Sequence, residues 1–237
     1  MKFSFIIPAL NEADGIAATL DALQAWRALG HEVIVVDGGS RDATPALARP
    51  LADQVLAAPR GRAGQMNAGA AAARGDALVF LHADTRLPEA ALEVIRGGLR
   101  QRLWGRFDVA IHGPARVLRL VAAMMNLRSR ITGICTGDQA LFVTRAAFQA
   151  AGGFPEQPLM EDIELSRRLK RLGPPACPRV RVVTSGRRWE AHGVWRTILL
   201  MWRLRFDYWR GVPAEALAAR YQAPSKPTAG RVWEAVQ

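Results

Sequence analysis

Three short apolar runs, Phe3 to Pro8, His31 to Asp37 and Ala77 to Leu81, each stop at a polar cluster and are each followed by a stretch with helical features. Apolar runs of this length, with no polar alternation, are strands covered on both faces, the condition found in parallel sheets. Between them, Asp14 to Leu29 places Ile16, Leu20, Leu23 and Trp26 at helical spacing and ends at Gly30. Ser40 or Asp42 can cap a short helix, Gln54 to Ala58 is a weaker strand, and Gly64 to Arg74 is an Ala-rich helix. Pro88 to Leu103 carries Leu92, Ile95, Leu99 and Leu103 on one helical face. The order predicts an α/β, Rossmann-like and mostly parallel sheet flanked by helices. Ligands of such sheets sit at the carboxyl ends of the strands. Here those ends hold Pro8-Ala9-Leu10-Asn11-Glu12, Asp37-Gly38-Gly39-Ser40 and His82-Ala83-Asp84.

The second half is less regular. Phe107 to His112, Ala140 to Thr144 and Val180 to Thr184 read as strands, and Ala115 to Ile131 and Glu161 to Leu172 as helices. A long helix is expected over Val194 to Arg210 and a short one over Ala214 to Tyr221, with a loose tail from Ala223. This gives a ligand-binding unit over residues 1–192 and C-terminal helices and tail over 193–237, packed on the same domain. The long helix spaces Trp195, Leu199, Trp202, Phe206 and Trp209 as one stripe, and Arg196, Arg203 and Arg210 as another. Core or dimer packing with the arginines outside is the expected role. An amphipathic helix on an anionic membrane is the open alternative.

Half of the 237 residues are apolar, enough for a sizeable core, yet the formal net charge is +11. Such a field attracts nucleic acid, anionic membrane or phosphorylated small molecules, although a coding bias toward Arg also produces it. No nucleic-acid recognition module is visible and acidic clusters lie on the expected ligand edge, so a nucleic-acid partner is not expected. A basic nucleic-acid-binding protein stays as the alternative from another functional class. Cys135 and Cys177 match no disulfide framework or metal spacing. No secretory leader pattern and no apolar stretch near the ~20 residues of a membrane span occur, so a cytoplasmic setting is expected.

The segments IIPALNE (Ile6 to Glu12), VVDGGSRDAT (Val35 to Thr44), GRAGQMNAG (Gly61 to Gly69), FLHADT (Phe80 to Thr85), GDQALFVTRAAFQAAGGF (Gly137 to Phe154) and MEDIELSRRL (Met160 to Leu169) follow one another in order. Together they resemble family-2 glycosyltransferases of the GT-A fold, over roughly residues 3 to 193. The resemblance implies a UDP-sugar donor. It implies that Pro8, Ala9, Asn11 and Glu12 line the nucleoside and that Asp37, followed by Gly38, accepts from the uracil N–H. Read locally, Asn11-Glu12 is a turn and Asp37 a cap. Arg62, Gln65 and Asn67 would face the donor's diphosphate and base from a helix start, where the dipole favours phosphate; a solvated first turn is the plain alternative.

The family's D-x-D metal pair is reduced here to His82-Ala83-Asp84. The resemblance implies a divalent metal, Mg²⁺ or Mn²⁺, on Asp84, with His82 and His192 as further ligands or as simple hydrogen-bonding groups. Glu161-Asp162 resembles the family's acidic motif, in which the Asp is the general base of inverting transfer. An acidic helix start reads the same way locally. Within the family, the chain is most similar to small selenium-associated members, including the selenosugar synthase of selenoneine biosynthesis, which joins a UDP-N-acetylhexosamine to selenophosphate. That implies a small anionic acceptor, to which Arg187, Arg188, Trp189 and Asp138 are assigned; a solvated basic loop is the alternative for the arginines. A lipid-phosphate or glycan acceptor remains open, as do peripheral membrane contact and a homodimer.

Overall fold

The computed structural model describes residues 1–222, except for the side chains of Arg188, Ala191, His192 and Gln222. The expected tail from Ala223 therefore lies outside the described residues. β1 (Phe3–Ala9), β2 (Glu32–Asp37), β3 (Gln54–Ala57) and β4 (Ala77–Phe80) pair in parallel in the order β3-β2-β1-β4. The sequence alternates faces even though both are apolar. Phe3, Phe5, Ile7, Val33 and Val35 pack on one side of the sheet, whereas Ile6, Ile34, Val36, Leu78 and Phe80 pack on the other.

The first side is covered by α1 (Ile16–Asp21), α2 (Gln24–Ala28), α5 (Ala91–Gln101) and α6 (Val117–Thr132). The second is covered by α4 (Arg62–Ala72), α7 (Arg145–Ala150) and α8 (Glu161–Leu172). Gly69 lets α4 lie close to the sheet, because a Cβ there would stand 2.5 Å from Ile6 Cγ2. The rest of the first half is the short α3 (Thr44–Ala48).

Several elements depart from the sequence expectations. Asp14 to Leu29 is two helices, because the Gln24 carboxamide takes the Leu20 carbonyl at 2.9 Å and Leu23 N–H closes a tighter turn onto the same oxygen. The sheet gains antiparallel strands beyond β4, namely β8 (Phe142–Thr144) and then β6 (Trp104–Gly105). The strands β7 (Asp108–His112) and β9 (Arg181–Ser185) leave the main sheet and form a smaller one with β5 (Thr85–Arg86), in the order β5-β9-β7. Strands of two residues, such as β5 and β6, carry no periodic signal. The missed α7 is announced only by its cap, Thr144, whose hydroxyl accepts from Ala147 N.

The C-terminal elements are α9 (Arg187–His192), α10 (Val194–Trp209) and α11 (Ala214–Gln222). Leu204, Leu217 and Ala218 pack with Leu159, Met160 and Ile163, joining these helices to the start of α8. Of the two packing roles expected for the aromatic stripe of α10, core or dimer, the core role is corrected. Trp195, Leu199, Trp202, Phe206 and Trp209 are 55% to 72% exposed, because α10 turns Thr197 and Leu204 inward instead. Leu120, Met124, Leu127 and Ile131 on α6 are exposed in the same way. Among the described residues no helix is long and apolar enough to cross a membrane.

α6 is fastened to β7 by one buried side chain. The Asn126 carboxamide accepts from Val109 N at 2.8 Å and donates to Val109 O at 2.9 Å. Asn126→Ala leaves both backbone groups unanswered, and is expected to lower unfolding free energy by about 2–4 kcal/mol. Urea denaturation with an unchanged slope checks this.

Candidate functional site

The carboxyl ends of β1 and β2 are stitched together before any ligand is considered. Gln65, on α4 and buried, donates Nε2 to Ala9 O at 2.9 Å and to Val36 O at 2.7 Å. Asn11, at a left-handed φ of 53°, accepts from Arg41 N and donates its own N–H to Ser40 Oγ, both at 2.8 Å. Asp37 accepts from Gly39 N at 3.1 Å and Ser40 N at 3.0 Å, capping its own turn, and Gly38 packs under Gln65. Pro8 and Ala9 end β1 on this edge, buried against β2. Asn67 is clamped on the Phe154 backbone, accepting from its N–H at 2.9 Å and donating to its carbonyl at 2.8 Å. Gln65 and Asn67 were expected to face a diphosphate. The structure commits both carboxamides to main-chain groups instead.

A cavity of about 210 Å³ opens beside this edge. Arg62, His82, Asp84, Asp138 and Asp162 contribute to its wall, and Trp189 and Arg205 close it from the C-terminal helices. The acidic motif takes two different environments. Glu161 is buried, pairs with Arg62 at 3.0 Å through one oxygen, and among the described residues has no hydrogen-bond partner on the other. Burial raises its pKa above the ordinary glutamate value against the pull of Arg62, and the neighbouring Asp162 adds to the rise. Asp162 faces the cavity and accepts from Gly137 N at 2.9 Å and from Ile163 N at 2.7 Å. Met160, at a left-handed φ of 66°, turns the chain sharply into α8 and sets these two carboxylates on different sides.

Asp138 lies on a 3₁₀ turn, Gly137–Gln139, whose capping box is closed between Thr136 and Gln139. Its carboxylate pairs with His82 Nδ1 at 3.4 Å. A Cβ on Gly137 would overlap the His82 ring, so glycine is what lets this turn press onto β4's end. Asp84 is answered by Arg187, whose Nη2 lies 3.3 Å from Asp84 Oδ2 and 2.8 Å from Glu12 Oε2. Arg187 was expected to face an acceptor; its guanidinium is spent on these two carboxylates. The side chains of Arg188 and His192, assigned to acceptor and metal, lie outside the described residues.

Among the described residues no three His, Cys, Asp or Glu side chains converge as a metal cage. At the end of β4, Asp84 is the carboxylate that lines the cavity, with His82 already paired to Asp138. A single carboxylate suits a divalent cation that arrives on a diphosphate and keeps phosphate oxygens and waters as its other ligands. Arg205 was missed from sequence because attention fell on the Arg196, Arg203 and Arg210 stripe. Its signal was the inward row Thr197, Met201 and Arg205 at spacing four, all of which line the cavity.

The His82–Asp138 pair gives a pH signature. Burial opposes the charged imidazole, but the hydrogen bond and charge of Asp138 outweigh it and hold His82 above its ordinary value of 6.5. Burial acts on Asp138 as well, yet His82 and Arg62 hold that carboxyl below its ordinary value of 3.8. The histidine's share of stability is complete below pH 6.5 and lost as pH rises through the raised value. The aspartate's share is complete above pH 3.8 and lost as pH falls through the lowered value. In chelated buffer, the stability gap between the natural protein and Asp138→Asn is therefore expected to be widest between those limits and to narrow on the alkaline side. Urea midpoints across pH measure it.

Comparison with known proteins adds to this geometry. Residues 4–103 match the family model described as glycosyl transferase family 2. The succinoglycan biosynthesis protein ExoO of Rhizobium meliloti is 38% identical over 112 residues, covering 45% of this chain and 30% of that protein. The beta-monoglucosyldiacylglycerol synthase of Synechocystis is 26% identical over 77% of this chain and 43% of its own. The chain thus spans less than half the length of these relatives. Among solved structures, S. aureus TarS 1-349 in complex with UDP-GlcNAc aligns with a TM-score of 0.63 at 19% identity, over 78% of this chain and 58% of that one. Glucosyl-3-phosphoglycerate synthase from Mycobacterium tuberculosis, in complex with Mn²⁺, UDP and glucosyl-3-phosphoglycerate, aligns at 0.57 and 22% identity, over 77% and 70%. Likeness at such identities speaks for the fold. The chain has the GT-A glycosyltransferase fold, and its first 103 residues carry the family-2 glycosyltransferase pattern from Ser4 onward.

Proposed function

We propose that this protein transfers a sugar from a UDP-linked donor to a small anionic nucleophile, with selenophosphate as the acceptor that the sequence resemblance favours and an N-acetylhexosamine as the sugar. The observation that carries the reading is the cavity itself, where Asp84 and Asp162 face the same space from the end of β4 and the start of α8. The nucleoside lies along the strand ends, with Asn11, Glu12 and Asp37 on the loops that Gln65 fastens. A divalent cation, Mg²⁺ or Mn²⁺, arrives with the diphosphate, held by Asp84 and, in this reading, by His82 or His192. When bound, it neutralises the charge of the departing nucleotide. The solved complexes of glucosyl-3-phosphoglycerate synthase with UDP and Mn²⁺, and with UDP and Mg²⁺, support donor and cation together.

The acceptor's lone pair forms the new bond at the anomeric carbon as the carbon–oxygen bond to the diphosphate breaks, and that electron pair leaves on UDP. A hydroxyl acceptor must also lose its proton, which Asp162 can take, because it faces the cavity and is held by backbone N–H groups rather than covered by a side-chain cation. Selenophosphate is already anionic and needs no such base. This separates the two kinds of nucleophile. Asp162→Asn is expected to cost roughly 10²–10⁴-fold in kcat with a hydroxyl acceptor and far less with selenophosphate.

A second reading is favoured by the exposed stripes of α6 and α10. No acidic residue occurs between Gly113 and Thr136 or between Ala191 and Phe206, and arginines flank both stripes. In this reading α10 lies on an anionic membrane and the acceptor is a lipid phosphate or a glycan. The lipid product named for the Synechocystis relative agrees with it.

The deciding assay combines UDP-N-acetylglucosamine, Mg²⁺ or Mn²⁺ and enzymatically generated selenophosphate, followed by mass spectrometry. A selenosugar product is expected, and Asp84→Ala is expected to reduce its rate by roughly a hundredfold or more. UDP binding without that product would move the acceptor to lipids and glycans. Absence of UDP binding would overturn the donor reading.

A further inference from the structure

Once the ion pairs around the cavity are drawn, two guanidiniums are left over among the described residues. Arg62 answers Glu161, Arg187 answers Glu12 and Asp84, and His82 answers Asp138. Arg205 lines the cavity from α10, and among the described residues no carboxylate lies within ion-pairing distance of it. Asp162 and Asp138 act on it only from farther off, while burial works against its charge. Behind it, on α6, Arg128 keeps Nε and Nη2 buried with no hydrogen-bond partner among the described residues. Burial, then the charge of Arg205, push the Arg128 guanidinium down to about 10.

This arrangement is costly in the free protein. Buried guanidinium donors without acceptors each forfeit part of their hydration, and two like charges side by side add repulsion. An anion that enters the cavity against the α10 wall meets Arg205 directly and offsets the repulsion between the two guanidiniums, although Arg128 itself does not line the cavity. A planar fork such as Arg205 matches a phosphate-type oxyanion in two-point fashion. In the reading above, the donor's diphosphate is met at the strand ends by Asp84 with its cation, and Arg62 is held by Glu161. The α10 wall is therefore available to a second anion.

We infer that Arg205, backed by Arg128, holds a phosphate-type oxyanion of the acceptor inside the cavity, in the space that Asp162 faces. The assignment rests on the glycosyltransferase reading and moves the acceptor's anchor from Arg187 to α10. Its position suits both a free phosphorylated nucleophile and a lipid phosphate, since α10 presents Arg205 inward and its aromatic stripe outward.

Isothermal calorimetry on the full chain tests this, with UDP and Mg²⁺ titrated first and inorganic thiophosphate titrated into the UDP-saturated protein. Arg205→Gln is expected to weaken thiophosphate binding by about tenfold or more, the worth of a charge-assisted hydrogen bond. UDP affinity should stay within about twofold of the natural protein, because Arg205 contacts no donor group in the reading above. Arg205→Lys should restore part of the loss, a result that a merely structural defect would not give. Flotation with phosphatidic-acid vesicles, against phosphatidylcholine vesicles, is the second arm. Flotation that depends on Arg205, without thiophosphate binding, assigns the site to a lipid phosphate. Thiophosphate binding that depends on Arg205, with flotation unaffected, assigns it to a free phosphorylated nucleophile. If neither depends on Arg205, the inference is overturned, whatever UDP does. If UDP fails to bind the natural protein, the donor reading falls separately.

Discussion

At the carboxyl end of a parallel sheet the ladder runs out, and the last strand ends need other contacts to stay in register. Here the Gln65 carboxamide reaches from α4 to the carbonyls of Ala9 and Val36 and holds β1 and β2 together at that end. Ala9 O also accepts from Gly38 N at 2.9 Å, so the carboxamide adds a second donor across the last ladder bond, in a layer where water does not reach. The loops that follow inherit their spacing from this contact. Asn11 can then reach Ser40 and Arg41, and Glu12 N–H can reach Thr44 Oγ1 at 2.8 Å. Everything at the candidate nucleoside edge stands on that bracket.

The second organising constraint is electrostatic. Five acidic side chains, Glu12, Asp84, Asp138, Glu161 and Asp162, gather in or beside one cavity, and the fold distributes their counterions unevenly. Four are met by side-chain cations, whereas Asp162 is met by backbone N–H groups. Dipoles fixed by α8 and the 3₁₀ turn stabilise a carboxylate without occupying the space in front of it. An ion pair would have filled that space.

The first half of the fold was legible because its strands and helices are periodic and its loops carry polar clusters at the strand ends. Even there, the split between α1 and α2 was hidden, since Gln24 breaks the helix through a side-chain bond and leaves the apolar spacing intact. Beyond β4 the pattern fails for a different reason: β5 and β6 have two residues each, and their pairing with β9 and β8 is decided by distant segments. The candidate site was legible as composition and not as contacts. Asp84, Asp138 and Asp162 do meet at one cavity. Nothing in the sequence said that Gln65 and Asn67 serve the main chain, or that Arg187 reaches back 175 residues to Glu12.

The Arg187 bridge also bears on the order of events at the site. One guanidinium bridges the loop after β1 and the end of β4 by way of Glu12 and Asp84. A cation that takes Asp84 must first dislodge it, so occupancy there and the placement of the α9 segment are linked, each altering the other's free energy equally. On the proposed donor reading, filling the nucleotide side releases this arm, and whatever restrains the arm tightens or loosens the nucleotide in turn. In kinetic terms, that reading carries a compulsory sequence in which the nucleotide enters first and the second substrate meets a doorway already unlatched.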